Sequence, residues 1–317
     1  HHRAVVRALV TGAGGFVGGH MADELERRGY TVIRVDLVED HRAAGLRWPM
    51  DVRTWFATEG GYCEVDLVVH CAAVVGGRTM IDGAPLQLAA EDLSIDAELF
   101  RWLLGRKTCP KVVYYSSSAA YPVELQDPTF RVPGAVMALR ESDIDLDLPG
   151  EHYSYLPDAT YGWVKLTGER LAAEAQKMGL PVYVFRPFSG YGSDQHLDYP
   201  FPSFVDRARR QVVEFEVWGP GTQVRDFVHI DDVVGATMAR LDGDDLSPVN
   251  ICTGIGTSFL ELAQLVMTEA GFQAPIVTHP DKPVGVLHRV GDPALMRQFY
   301  EPTVTLTEGI RRALEAN

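Results

Sequence analysis

The sequence predicts an α/β protein with a doubly wound parallel sheet and a smaller C-terminal α/β lobe. Two observations support this fold class: short apolar runs alternate with helical stretches, and a glycine-rich turn follows the first run. A chain of 317 residues can hold one large or two modest units. We expect a main domain over residues 3–192, to which segments near 225–255 return. Residues 193–317 are expected to form most of an interleaved smaller lobe.

Five short apolar runs are typical of buried parallel strands. They lie near residues 4–10, 31–36, 66–71, 112–116 and 182–186. The intervening pattern predicts helices over residues 21–29, 88–104 and 161–178. Beyond Gly192 the pattern changes, and it predicts helices over 201–210 and 231–241 and a strand over 213–218.

The glycine-rich turn between the first strand and helix has the sequence Thr11-Gly12-Ala13-Gly14-Gly15-Phe16-Val17-Gly18. A helix N-terminus offers free amides and the positive end of its dipole to phosphates. Such a turn therefore indicates a Rossmann-type dinucleotide-binding domain, although its spacing is G-x-x-G-x-x-G. Glycines permit the tight turn, the approach of backbone to the pyrophosphate and close helix packing. The expected cofactor-binding residues are Gly12, Gly15, Phe16, Val17 and Gly18.

The second predicted strand ends at Asp36, about 20 residues beyond the turn. A carboxylate at this position can bond the 2′-hydroxyl of the adenosine ribose, and it would repel a 2′-phosphate. The sequence therefore favours NAD over NADP. The alternative is an ordinary aspartate that caps a loop at the end of a strand.

Tyr161 and Lys165 are four residues apart, so on a helix they share one face. A cation beside a phenol favours the phenolate, which prepares Tyr161 as a general base. Ser117 lies in a run of three serines directly after the strand at 112–116. Ligands bind beyond the carboxyl ends of such strands, where a serine can bond a reacting oxygen. This trio predicts redox chemistry at a hydroxyl or carbonyl carbon.

Further motifs are spread over nearly the whole chain. They are Asp51-Val52, His70-Cys71-Ala72-Ala73, Arg186-Pro187-Phe188 before Tyr191-Gly192, Trp218 to Asp232, and His288-Arg289-Val290-Gly291-Asp292. Together with the turn and the Tyr161 motif, this set resembles extended short-chain dehydrogenases/reductases that modify nucleotide sugars. The resemblance implies cofactor contacts from Asp51, Val52, Cys71, Ala72, Ala73, Tyr161, Lys165 and Pro187. It also implies that Arg225 and Arg289 contact the substrate diphosphate.

The residues after the catalytic serine discriminate within this group. Alignment on Tyr121-Pro122 places Ser117 at the catalytic position and Ser118 and Ala119 after it. Sugar 4,6-dehydratases have Asp-Glu at those two positions, and UDP-glucuronate decarboxylases have a glutamate at the second. Both activities are therefore disfavoured.

The stretches Ala72 to Gly77 and Ser117 to Pro122 resemble those of GDP-mannose 3,5-epimerase and GDP-fucose synthase. Those enzymes use a cysteine acid/base where this chain has Ala119, which cannot move a proton. The loop after Tyr191-Gly192 offers His196, either as a possible second acid/base or as a surface or substrate-contact residue. The resemblance further implies substrate contacts from Val75, Gly76, Ser118 and Ser189, the last of which replaces the family's usual asparagine.

The chemistry left for Ser117, Tyr161, Lys165 and NAD is C4 epimerisation of a nucleotide sugar through a transient 4-keto intermediate. The same residues could serve a nucleotide-4-keto-sugar reductase, and a GDP-sugar 3,5-epimerase is a further alternative. A non-catalytic NAD-binding regulator is a more distant one, because the catalytic trio is present. The GDP-sugar resemblance favours a GDP-sugar as substrate.

Composition bounds the partners and the compartment. The net charge of −14 argues against a nucleic acid or an anionic membrane as partner. The four cysteines show no C-x-x-C spacing and the ten histidines no H-E-x-x-H pattern, so we expect reduced thiols, a cytoplasmic location and no metal site. The apolar run at 65–75 is too short to cross a bilayer. The resemblance implies a homodimer formed through the helices at 88–104 and 161–178.

Overall fold

The prediction of a doubly wound parallel sheet is confirmed by the computed structural model, which describes residues 6–37, 46–74, 76, 78–130, 137–147 and 156–316. The strands in these ranges are β1 (Arg7–Thr11), β2 (Thr31–Asp36), β3 (Leu46–Pro49), β4 (Leu67–His70), β5 (Lys111–Tyr115), β6 (Val182–Pro187), β7 (Ser189–Tyr191), β8 (Phe215–Trp218), β9 (Val224–His229), β10 (Val249–Ile251), β11 (Gly256–Ser258), β12 (Ile276–His279) and β13 (His288–Arg289).

The α-helices of the described residues lie between these strands. They are α1 (Phe16–Arg27), α2 (Val52–Ala57), α3 (Arg78–Gly83), α4 (Pro85–Leu104), α5 (Ala159–Lys177), α6 (Pro200–Arg209), α7 (Ile230–Arg240), α8 (Phe259–Ala270) and α9 (Leu306–Glu315). Short 3₁₀ turns follow β5 at 118–120 and 123–126.

Within the described ranges, seven strands form the main sheet in the order β10-β6-β5-β4-β1-β2-β3, and every pair is parallel. From β1 the chain passes outward through β2 and β3, and then returns to β4 on the other side of β1. The carboxyl ends of β1 and β4 therefore border the point where the strand order reverses, with Thr11 beside His70. Open α/β sheets bind ligands at this point.

Both faces of the main sheet are covered by helices. Alternate residues of a strand point to opposite faces, so in β1 Val10 joins the apolar cluster under α1 and α7, whereas Leu9 joins the cluster under α2, α4 and α5. Met21 and Val233 represent the first helical layer, and Trp55 the second. The strands are apolar throughout because they are buried on both sides.

The remaining elements form a smaller lobe with its own core. Strands β7, β11 and β13 pair with β9, and β8 pairs with β12. Helices α6, α8 and α9 cover an aromatic cluster that includes Phe201, Phe204 and Phe215. Residues near 225–255 were expected to return to the main domain. Of their elements, β10 joins the main sheet and α7 packs on α1, whereas β9 lies in the small sheet.

Two local expectations were wrong. The first helix begins at Phe16, not at residue 21, so the glycine turn leads directly into it. The sequence did not indicate this start because Gly18 and Gly19 are weak helix formers. The second concerns residues 126–157, whose richness in proline and acidic residues predicts a surface loop. In the part that the structure describes, Gln126 and Leu139 are fully buried, because this segment packs onto the site. No helix in the described part of the chain is long and apolar enough to span a membrane.

Candidate active site

The glycine turn lies at the carboxyl end of β1 and is tightly packed. A Cβ at Gly12 would lie 2.7 Å from the backbone of Ala72, and one at Gly18 would lie 2.1 Å from the Gly12 carbonyl oxygen. Gly12 also has a positive φ of 67°. Gly15 precedes the first turn of α1, which contains Phe16 and Val17. Glycine is therefore required here for the β1–α1 connection, and the resulting open amide cradle fits a dinucleotide pyrophosphate.

Asp36 ends β2 beside this turn. Its Oδ2 accepts a hydrogen bond of 2.8 Å from the Gly14 amide, so the carboxylate stands at the mouth of the cradle. Asp51 caps α2: its carboxylate accepts from the Arg53 amide and pairs with the Arg53 guanidinium, which holds the pKa of Asp51 below its usual value. Val52, the first residue of α2, is buried. Asp36 thus lies in direct contact with the turn, whereas Asp51 is engaged by Arg53.

A buried hydrogen-bond chain fixes the ends of β1 and β4, and the sequence reasoning missed it. The Thr11 hydroxyl bonds His70 Nδ1 at 2.9 Å and accepts the Ala72 amide. Asp96 of α4 accepts from His70 Nε2 at 3.2 Å and from the Tyr114 hydroxyl at 2.7 Å. Buried polar groups that are fully paired rigidify their surroundings. These hydrogen bonds therefore hold the segment after His70, which includes Cys71 and Ala73, against the glycine turn.

The Tyr161 helix crosses β5 at very short range. A Cβ at Gly162 would lie 2.3 Å from the Ala119 carbonyl oxygen, and one at Gly168 would lie 1.7 Å from the Tyr114 hydroxyl. The Ala119 carbonyl also accepts the Asp158 amide at 2.8 Å. These contacts press the first turn of α5 onto the segment that follows Ser117. They bring together the two elements that carry the predicted trio: the Ser117 segment and the helix with Tyr161 and Lys165.

Lys165 is buried beneath Tyr161. Its ammonium donates a 3.1 Å hydrogen bond to the Tyr115 carbonyl and lies 5.8 Å from the centroid of the Tyr161 ring. Burial alone would lower the pKa of Lys165, but the negative charges of Tyr161 and Asp96, with that of Asp92, raise it above its usual value. Lys165 therefore stays cationic beside the phenol, as a Tyr-Lys pair for proton transfer requires.

Asp92 is a second group that the sequence reasoning did not single out. This α4 residue is 2% exposed, and one carboxylate oxygen accepts the Val74 amide at 2.6 Å. Its other oxygen is buried without a hydrogen-bond partner among the described residues. Burial raises the pKa of Asp92 to about 6, although the charge of Lys165 opposes this. Asp92 thus supports the segment that carries the predicted substrate residues.

The serines after β5 differ in their surroundings. Ser116 is buried and donates to Glu169 of α5, whose carboxylate also forms a fully buried bidentate pair with Arg186. Ser117 is half-buried, and its hydroxyl oxygen accepts the Ala119 amide at 3.1 Å. Ser118 is 5% exposed. Of the three serines, Ser117 thus combines partial exposure with a fixed hydroxyl.

Arg225 and Arg289, the two predicted diphosphate contacts, lie close to each other near the start of α5. Arg289 donates to Gln126 at 2.6 Å and to Asp158 at 2.8 Å. Arg78, which was not predicted, reaches the other oxygen of Asp158 at 2.9 Å. Burial, and then the positive charges of Arg289 and Arg78, lower the pKa of Arg225 to about 9. Two guanidinium groups thus bond one carboxylate directly before the Tyr161 helix, and the Arg225 guanidinium lies near enough to feel their charge.

Other predicted residues lie around this centre or apart from it. Pro187 ends β6 and Ser189 begins β7, and both are half-buried. At Gly76, a Cβ would lie 2.7 Å from the Met80 side chain. His196 lies in an exposed loop, where its side chain is 76% exposed and pairs with Asp198. Val75 lies outside the described residues. No group of three or more metal-binding side chains is found within the described ranges.

Comparisons with known proteins agree with this geometry. Residues 8–252 match the model of the NAD dependent epimerase/dehydratase family. A dTDP-4-dehydro-6-deoxy-D-allose reductase from a Streptomyces species is 30% identical, with 92% of this chain and 90% of the relative covered. GDP-mannose 3,5-epimerase 1 from Oryza sativa subsp. indica is 28% identical, with 96% and 80% covered.

A solved structure extends the comparison to the whole fold. The UDP-glucose 4-epimerase of Thermotoga maritima, determined with UDP-glucose, superposes with a TM-score of 0.82 at 26% identity, and the match covers 98% of each chain. The predicted resemblance to nucleotide-sugar-modifying enzymes and the prediction of NAD as cofactor are both confirmed. The chain therefore belongs to the NAD dependent epimerase/dehydratase family.

Proposed function

We propose that this protein is a nucleotide-sugar 4-epimerase. The observation that carries the proposal is the position of Tyr161 beside the cationic Lys165, on a helix packed closely against the Ser117 segment. That segment follows β5, one strand away from the point where the strand order reverses. A general base, a hydroxyl donor and a dinucleotide cradle thus share one end of the sheet.

Each catalytic residue has a defined task in this proposal. Ser117 hydrogen-bonds the C4 oxygen of the sugar, and Tyr161 removes the proton from the C4 hydroxyl. Lys165 stabilises the phenolate that Tyr161 must present, because it lies buried beneath the ring with its charge intact. Bound NAD supplies reversible hydride transfer. Because the 4-keto sugar can take the hydride back on its other face, the configuration at C4 is inverted, and Tyr161 returns the proton to the C4 oxygen.

A 4-keto-sugar reductase is the second candidate, and the reductase relative at 30% identity favours it. It would use the same three residues but would consume a reduced cofactor in every turnover. Asp36 supports the epimerase, because a carboxylate at the ribose suits NAD, which an epimerase recycles. A 3,5-epimerase needs a further acid/base pair. Ala119 cannot provide one member, and the other candidate, His196, is exposed.

The substrate in this proposal is a nucleotide diphosphate sugar. Its diphosphate binds to Arg225 and Arg289, since buried guanidinium groups with converging positive charge suit an anion. A GDP-sugar stays our preferred substrate; the GDP-mannose 3,5-epimerase relative supports it, whereas other relatives act on dTDP- and UDP-sugars. A homodimer through α4 and α5 and a cytoplasmic location stay predictions.

Replacement of the base tests the proposal. Tyr161→Phe removes the phenolic oxygen but keeps the ring, so turnover of nucleotide sugars should fall by at least about 100-fold while NAD binding persists. Tyr62→Phe is the control, because Tyr62 is 92% exposed. A Tyr161→Phe enzyme that keeps its turnover would overturn the catalytic assignment and would favour a non-catalytic NAD-binding role.

A further inference from the structure

Arg78 is a third cationic side chain at the predicted diphosphate site. It begins α3, at the end of the loop that follows β4. Its Nη1 donates to Asp158 Oδ1, while Arg289 Nη2 donates to Asp158 Oδ2. One carboxylate thus holds two guanidinium groups that arrive from separate parts of the chain.

Arg225 and Arg78 also face the same point of the backbone. A Cβ at Gly285 would lie 3.2 Å from Arg78 Nη1 and 3.5 Å from Arg225 Nη2. In the described part of the chain, Arg225 donates to carbonyl oxygens only, those of Val224 and Val284. It therefore has no carboxylate partner there, although the neighbouring cations make one favourable.

The charge balance of this arginine cluster favours an anionic ligand. The guanidinium groups of Arg78 and Arg289 share the buried carboxylate of Asp158, and Arg78 has a second, more exposed partner in Asp82. Arg225 adds a third positive charge beside them. The cluster keeps a net positive charge even when both carboxylates are counted. Buried like charges repel one another unless an anion joins them. A dianionic diphosphate would supply that charge and accept several hydrogen bonds from the guanidinium forks.

We propose that Arg78 binds the substrate diphosphate together with Arg225 and Arg289, and that Asp158 is the internal counter-ion that keeps Arg78 and Arg289 in place before substrate arrives. The inference rests on the proposed nucleotide-sugar substrate. Asp158 directly precedes α5, and the next residue, Ala159, has an unusual positive φ of 57°. The counter-ion therefore also links the diphosphate end of the site to the backbone that positions Tyr161.

The test is calorimetric titration with UDP, GDP and dTDP and with the matching nucleoside monophosphates. Arg78→Gln should weaken binding of the preferred diphosphate by about 10-fold or more, because hydrogen bonds to a charged group are lost. Monophosphate and NAD affinities should change much less. Arg170→Gln is the matched control: it removes a carboxylate-paired arginine from the exposed side of α5, outside the cluster.

The outcomes separate the two proposals. If the unaltered protein binds none of the three diphosphates, the proposed function fails. If it binds one and Arg78→Gln binds it equally well, or loses diphosphate and monophosphate alike, only the role of Arg78 fails, since a purely structural arginine would not discriminate between them. Arg78→Lys keeps the charge but not the fork, and should show a smaller loss of the same preference. It replaces the glutamine variant if thermal denaturation shows that variant to be unfolded.

Discussion

Replacement of Gly162 by alanine should strongly impair catalysis. Gly162 follows Tyr161 directly, and a Cβ at this position would lie 2.3 Å from the Ala119 carbonyl oxygen and 2.8 Å from the Pro157 side chain. Ordinary contacts of a Cβ begin at about 3.4 Å, so Gly162→Ala requires the helix and the serine segment to separate by about 1 Å. Backbone atoms on both sides leave little room for adjustment.

The magnitude follows from this separation. A misplacement of about 1 Å between reacting groups can cost about 100-fold in rate. We therefore expect the kcat of Gly162→Ala to fall by about 100-fold, with a loss of about 1–3 kcal/mol in the free energy of unfolding from overpacking. The affinity for NAD should change less than kcat, because the glycine turn expected to bind the pyrophosphate lies on β1 and α1 and not on α5.

Steady-state kinetics of the preferred nucleotide sugar, with urea denaturation in parallel, measures both effects. Gly105→Ala is the matched control, since a Cβ there would meet the Trp102 carbonyl oxygen at an ordinary 3.5 Å. If Gly162→Ala keeps a kcat within about threefold of the unaltered enzyme, the close approach of α5 does not set the catalytic geometry, and the reasoning is refuted.

Two further substitutions test the cofactor and the buried charge. Asp36→Asn should lower the preference for NAD over NADP by about 10-fold, because the charge that repels a 2′-phosphate is lost; an unchanged ratio of the two dissociation constants would contradict this. Burial raises the pKa of Asp92 to about 6 in the folded protein, above the ordinary value of 3.8 for an aspartate. The folded chain therefore retains a proton between these values that the unfolded chain releases, so stability falls as pH rises through this window. Asp92→Asn should remove that dependence and stabilise the fold at pH 7 by about 1–2 kcal/mol. The prediction is refuted if the free energies of unfolding of the two proteins, measured by urea denaturation, change alike from pH 4 to 7.

The main sheet could be predicted because each of its strands carries a local signal. The run at 66–71 is apolar on both faces and forms β4. The Gly12 turn marks the connection from β1 to α1 by its glycine spacing. The small lobe gave weaker signals. β11 has three residues and β13 has two, and they are strands because they pair with β9, not because of their own sequence.

Some residues of the candidate site could also be predicted from the sequence, and others could not. Tyr161 and Lys165 follow a helical spacing, and Arg225 lies in a recognisable motif, so these residues could be predicted from the sequence. Arg78 belongs to no periodic pattern, and its importance comes from Asp158, eighty residues away in the chain. Gly162 in a helix would count against helix formation on propensity alone. Only the packed structure shows that close approach to Ala119 explains it.

The most direct test of the central claim is proton NMR of GDP-, dTDP- and UDP-sugars incubated with the enzyme in D₂O, with NAD no more concentrated than the enzyme. Internal return of the hydride predicts inversion at C4, no deuterium in the sugar and many turnovers per NAD. Deuterium at C3 or C5 would show enolisation by another acid/base and would contradict the 4-epimerase. Conversion that occurs only with a 4-keto sugar and stoichiometric reduced cofactor would contradict it in favour of the reductase.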